Sequence, residues 1–170
     1  MNWDVAIYET FSRLETRWLV NTRLDLDPDF YDYNAWPMAD FMASVEMVAQ
    51  FIPQGRFLDV GCGIGTKLAL MHSLGWEVSG LDWNKEYVFR ARELLPERAD
   101  DIVVADLRDV ESFDADVVYM YRPAKSDEQE EAVERHLIGH CAQGTLLILP
   151  ETPVTSQLDL ERVGPNVWRV

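Results

Sequence analysis

Cysteine is nearly absent from this chain. Only Cys62 and Cys141 occur in 170 residues, which excludes a disulfide framework and a cysteine-rich metal site and makes a reduced, cytoplasmic setting the expectation. Positive charge is scarce too: 15 Lys and Arg stand against 30 Asp and Glu, for a net charge of −15. Such a balance disfavours nucleic acid as a partner, because cationic side chains supply most of the affinity for phosphate backbones. A small molecule, a cationic substrate or a protein partner fits it better. No apolar run is long enough to span a membrane, and the opening MNWDVAIYETF lacks the basic-then-apolar order of a secretory signal. Repeats and low-complexity tracts are missing as well, so a single domain with one substantial core is expected.

What the chain does have is organised around RFLDVGCGIGTKLAL, residues 56–70. Phe57, Leu58 and Val60 form a short apolar run between glycines, the pattern of a buried parallel strand. Gly61, Gly63 and Gly65 then alternate through a tight turn. Leu68, Met71 and Leu74 recur at helical spacing beyond it. Glycines at a strand-to-helix junction permit positive φ and let a ligand lie against bare main chain. The free N–H groups of the helix face the same spot. A Walker-type phosphate loop is excluded, since no G-K-[ST] follows, and the dinucleotide pattern G-x-G-x-x-G fails at Thr66.

On either side the elements are legible. Trp3, Ile7, Phe11, Leu14 and Trp18 predict an amphipathic helix over residues 3–20. Residues 25–37 read as a loop interrupted by Pro28 and Pro37. A second helix over residues 38–52 buries Phe41, Val45, Val48 and Ile52. After the glycine turn come a strand over 77–81 ending at Asp82, a helix capped by Asn84, a strand over 101–107 and a fourth over 115–121. Ser126 to Gln129 match a capping box for a helix running to about Cys141, and a fifth strand covers 145–149. Four strand–helix alternations argue for an α/β, doubly wound, mostly parallel sheet with right-handed crossovers. The tail breaks the alternation: residues 158–163 and 167–170 form an antiparallel hairpin turning at Gly164-Pro165-Asn166.

The order Asp59-Val-Gly-Cys-Gly-Ile-Gly resembles the first motif of the Rossmann-like (class I) S-adenosylmethionine-dependent methyltransferases. The resemblance covers about residues 55–150, and the hairpin supports it. It implies a core at 55–170 that binds S-adenosylmethionine, and an N-terminal helical segment, 1–54, packed on the same domain as a cover. That family places a helix between its fifth and sixth strands, which this sequence is expected to lack. The implied function is methyl transfer by in-line displacement to a small-molecule or peptide acceptor. Two other readings stay open. One is another enzyme on the same fold, an aminopropyl transferase or a nicotinamide-dependent oxidoreductase; the other is a cofactor-binding subunit that supports a partner chain.

The candidate residues follow from the chemistry and from that resemblance. Asp82, at the end of the second strand and 21 residues past Gly61, can accept both ribose hydroxyls. Charge-assisted bonds of this kind contribute about 1.5–3 kcal/mol each. Trp83 beside it can stack on the adenine. By the resemblance, Asp59 organises the methionine end of the cofactor, while Asp106, with the Leu107 backbone, meets the adenine amino group. Gly61, Cys62, Gly63 and Gly65 form the cradle. Tyr121 and Arg122, after the fourth strand, are the acceptor-side candidates: a tyrosine to orient an acceptor and an arginine to grip a carboxylate or phosphate. Tyr31, Tyr33 and Trp36 are candidates for covering the site. His72, His136 and His140 fall on helices away from the strand ends, and no metal is expected. No nucleophile–histidine–acid set is evident.

Overall fold

The computed structural model describes residues 5–21, 35–122, 124, 126–150, 152–158 and 160–170. Its frame is one seven-stranded sheet in the order β3-β2-β1-β4-β5-β7-β6. The strands are β1 (Arg56–Val60), β2 (Glu77–Asp82), β3 (Ile102–Val104), β4 (Val117–Met120), β5 (Leu146–Ile148), β6 (Glu161–Gly164) and β7 (Val167–Arg169). The first five run parallel, and β7 enters antiparallel between β5 and β6. The chain order reverses between β1 and β4. In such sheets the crevice outside the carboxyl ends of those strands receives the ligand.

The helices are α1 (Val5–Asn21), α2 (Met38–Val48), α3 (Thr66–Ser73), α4 (Lys85–Leu94), α5 (Asp127–Gly139) and a short α6 (Pro153–Gln157). Their ends follow local rules. The Asn84 side chain accepts from the Glu86 N–H at 3.0 Å to start α4, and Ser126 accepts from the Gln129 N–H at 3.2 Å to start α5. Asn166, with φ +56°, turns the β6–β7 hairpin.

The core lies in two layers, one on each face of the sheet, because successive strand residues alternate sides. Phe57, Val78, Val117, Tyr119, Leu146 and Ile148 pack toward α2, α3 and α4. Val118, Met120, Leu147 and Trp168 pack on the other face with Phe113 and Leu137. Asp59 and Tyr119 lie opposite one another in the register of β1 and β4. This places a carboxylate among apolar neighbours on the first face.

Two expectations are corrected. The connection from β5 to β6 does contain a helix, α6, a little over one turn long. Thr152 and Thr155 cap it reciprocally, Thr155 standing where Glu or Gln is usual. Pro153 occupies the first helical turn, where its missing N–H costs nothing. The element is too short to show a periodic apolar pattern, and this hides it in the sequence. The second correction concerns α1. Leu14, expected in the buried stripe, is 38% exposed, while its neighbour Glu15 is buried. The inward face therefore runs from half-buried Phe11 to Glu15, four residues on, because a charged partner on α3 draws Glu15 inward. Of the cover candidates, Tyr31 and Tyr33 lie outside the described residues.

Candidate functional site

The site starts at the carboxyl end of β1. Gly61, Gly63 and Gly65 all have positive φ, at +78°, +53° and +79°. The turn is tied down on both sides: the N–H groups of Gly61 and Cys62 donate to the Leu81 carbonyl at 2.8 and 2.9 Å, and that of Gly65 to the Cys62 carbonyl at 2.9 Å. These glycines do different work. A Cβ on Gly65 would stand 2.8 Å from the Ala91 Cβ, so this residue lets α3 and α4 pack together. A Cβ on Gly61 would meet nothing within 4 Å. Gly61 therefore presents bare backbone to open space, which is the cradle a ligand needs. Cys62 is buried and packs beside Gly80, and burial drives its thiol pKa well up, so it is not a nucleophile here.

Asp82, at the end of β2, is buried and already employed. One oxygen accepts from the Gly63 N–H at 2.9 Å, the other from the Asn84 N–H at 2.8 Å. Burial raises its pKa, and these two N–H groups oppose that rise. It thus ties down the glycine turn, and each of its oxygens keeps acceptor capacity for a further donor. Trp83 next to it is 43% exposed, leaving a large ring surface uncovered. Asp106 instead faces Arg108. It caps the tight 3-10 turn at Leu107–Asp109 by accepting from the Arg108 N–H, and it pairs with that guanidinium, which holds its pKa low.

Asp59 is the odd group of the site. It is 1% exposed, and its Oδ1 has no hydrogen-bond partner among the described residues. Burial pushes its pKa up to about 8, against the pull of Lys67. An unpaired buried carboxyl oxygen is costly, and a cationic ligand group would satisfy it. Together with the open backbone at Gly61, this fits a ligand carrying an ammonium and a sulfonium.

Two residues that carry the site were not singled out from the sequence: Glu15 and Lys67. Lys67, in the first turn of α3, donates to Glu15 Oε1 and Oε2 at 2.9 and 3.0 Å and to the Trp36 carbonyl at 3.0 Å. The Thr66 hydroxyl donates to Glu15 Oε1 at 2.7 Å. A lysine set directly between the glycine turn and an apolar helical run is the signal that was available. Glu15 falls four residues after Phe11 on the inward face of α1, and the two positions call for each other. Asp59, Gly61, Lys67, Glu15, Trp36, Tyr119 and Tyr121 line one small cavity of about 20 Å³.

One wall of the cavity is aromatic. Trp36 is buried and stacks on both Tyr119 and Tyr121, with ring centroids 5.9 and 5.7 Å apart and planes within 10° and 9°. Arg122 has φ +43°, and its Nε stands 3.9 Å from Glu130 Oε2. The structure thus brings Tyr121 to the cavity wall, while Arg122 is exposed and does not line the cavity. Of the histidines, His136 bonds the Val110 carbonyl and His140 bonds the His136 carbonyl. No cluster of three metal-ligating side chains occurs among the described residues.

Sheet order, glycine turn and hairpin define the class I methyltransferase fold. The family model described as "Methyltransferase domain" matches residues 57–142, half of the chain, and the chain belongs to that family, whose class I members use S-adenosylmethionine. Its fold is similar to that of DesVI from Streptomyces venezuelae, at TM-score 0.53 and 20% identity over 86% of this chain and 57% of that one. It is also similar to magnesium protoporphyrin IX methyltransferase from Synechocystis, solved with bound S-adenosylmethionine, at TM-score 0.55 and 17% identity over 87% and 76% of the two chains. CalS10 from Micromonospora echinaspora, an amino pentose methyltransferase, aligns at TM-score 0.51 and 22% identity over 67% and 50%. The chain therefore spans little more than half of DesVI and half of CalS10. No curated protein sequence matches it. Among the described residues no helix is long and apolar enough to cross a membrane.

Proposed function

We propose that this protein moves a methyl group from S-adenosylmethionine to a small-molecule acceptor. The observation that carries the reading is the pairing, on one strand end, of an uncovered glycine backbone at Gly61 with the unpartnered buried oxygen of Asp59. A cradle lined by carboxyl groups suits a sulfonium and an ammonium, because a bound cation favours the ionised form of Asp59, whereas a pyrophosphate would disfavour it. The carbohydrate and porphyrin enzymes of similar fold support a small acceptor over a peptide.

The cofactor supplies an already activated methyl donor, so no nucleophilic side chain is required of the protein. The chain's own work is alignment. Asp59 faces the charged amino-acid end, and Asp82 accepts the ribose hydroxyls while holding the turn through Gly63. Trp83 and the Leu107 backbone flank the adenine. Asp106 meets the adenine amino group with the oxygen capacity that Arg108 leaves it. The Trp36–Tyr121 stack forms a dry wall against which an acceptor is oriented, and Arg122 can take an anionic acceptor group by leaving Glu130. Residues 1–54 serve as the cover of this site, in one domain with the core at 55–170.

Calorimetric titration with S-adenosylmethionine and S-adenosylhomocysteine, with NADH as control, tests the assignment. Micromolar binding of the first two and none of the third is expected; the reverse order of affinities would make the chain an oxidoreductase scaffold instead.

A further inference from the structure

Lys67 and Glu15 form a buried ion pair whose side chains are only 5% and 8% exposed. Burying two charges costs several kcal/mol of desolvation unless the geometry repays it. A pair kept for folding alone could be replaced by apolar side chains at little loss. This pair instead lines the same cavity as Gly61 and the unpartnered Oδ1 of Asp59. The carboxylate of Glu15 takes the Thr66 hydroxyl and two contacts from the Lys67 ammonium, at the N-terminal turn of α3. A carboxylate thus sits beside the cradle, and it is supplied by a helix outside the family match.

Resting on the cofactor assignment above, we propose that Lys67 holds the α-carboxylate of S-adenosylmethionine, and that Glu15 occupies that position when the cofactor is away. Three considerations carry this. The amino-acid end of the cofactor is a zwitterion, and among the described residues the cavity offers one cation, Lys67, and one unsatisfied carboxyl oxygen, on Asp59. The three N–H donors of Lys67 already go to Glu15 Oε1, Glu15 Oε2 and the Trp36 carbonyl, so a second carboxylate can reach the ammonium only by displacing Glu15. Exchange of one carboxylate for another keeps Lys67 paired, so it avoids the penalty of stranding a buried cation. The Trp36 carbonyl, the third acceptor of Lys67, keeps the ammonium aimed at the cavity during the exchange. Cofactor binding then competes with the docking of α1 at Glu15.

The test is calorimetry on the full chain with S-adenosylmethionine, S-adenosylhomocysteine and decarboxylated S-adenosylmethionine, for the wild type, Glu15→Gln and Lys67→Met. For the wild type, the decarboxylated compound should bind at least about 10-fold more weakly than its parent, the loss of one charge-assisted pair. Glu15→Gln should tighten both carboxylate-bearing ligands by roughly 3–10-fold and leave the decarboxylated one within about 2-fold, since a neutral amide competes less well for the ammonium. Lys67→Met should erase the preference for the carboxylate. Equal wild-type affinity for the parent and the decarboxylated compound would overturn the proposal without any variant. Weaker or unchanged binding in Glu15→Gln would overturn it too, making Glu15 a partner of the ammonium or a plain structural pin. Binding of neither carboxylate-bearing ligand would bring down the cofactor assignment, and this proposal with it.

Discussion

The glycine turn and the aromatic cover meet at one cavity but are built in opposite ways. The turn is backbone work: positive φ at three glycines, N–H groups on the Leu81 carbonyl, and Asp82 bonded to Gly63 and Asn84. Nearly all of it is local in sequence or one strand away. The cover is side-chain work between distant segments: Glu15 on Lys67, and Trp36 on Tyr119 and Tyr121. The first arrangement is fixed by backbone geometry and suits a class of ligand. The second consists of a few side-chain contacts, which on the proposed reading are exchanged when the ligand enters.

Substitutions can pull this contrast apart, beginning with the largest effect. Gly65→Val places a side chain 2.8 Å from Ala91 at a positive φ. It should cost about 3 kcal/mol or more in urea unfolding, from overpacking plus the left-handed backbone. Gly61→Val faces open space, so it should bear only the backbone cost of φ +78° and stay folded, yet lose about 100-fold in cofactor affinity, near 2.7 kcal/mol. If Gly61→Val bound normally, the cradle would lie elsewhere. Asp82→Ala should weaken the cofactor by about 10–100-fold; undiminished affinity would remove Asp82 from the ribose.

The pH dependence of stability comes next. The folded chain keeps a proton on Asp59 up to about pH 8, whereas the unfolded chain sheds it near pH 4. Over that window the folded state binds more protons, so this group's stabilisation, complete below the lower value, is lost as pH rises through the upper one. The slope reaches at most about 1.4 kcal/mol per pH unit. Asp59→Asn should flatten the profile, and an unaltered profile in that variant would mean Asp59 does not carry it. The smallest effect belongs to the cover. Tyr121→Phe keeps the ring on Trp36 and should leave cofactor affinity within about 2-fold while altering turnover with an acceptor. A large loss of cofactor affinity there would erase the division between turn and cover.

The sequence by itself determined the parallel sheet, the three-glycine turn, Asp59, Asp82 and the closing hairpin. These depend on strand and helix periods and on backbone freedoms that a few adjacent residues specify. The tertiary structure alone decided the rest. Glu15 turned inward and Leu14 outward because a partner lay on α3, 52 residues away from Glu15. Trp36 stacks on two tyrosines because Tyr119 and Tyr121, two residues apart at the end of β4, present their rings on the same side. The helix α6, a little over one turn long, rests on a reciprocal threonine cap and leaves no periodic trace. Arg122, read as a grip for an acceptor, stands near Glu130 because α5 returns past the end of β4. Charges buried by distant partners obey no period, so only the packed chain reveals which of them share a cavity.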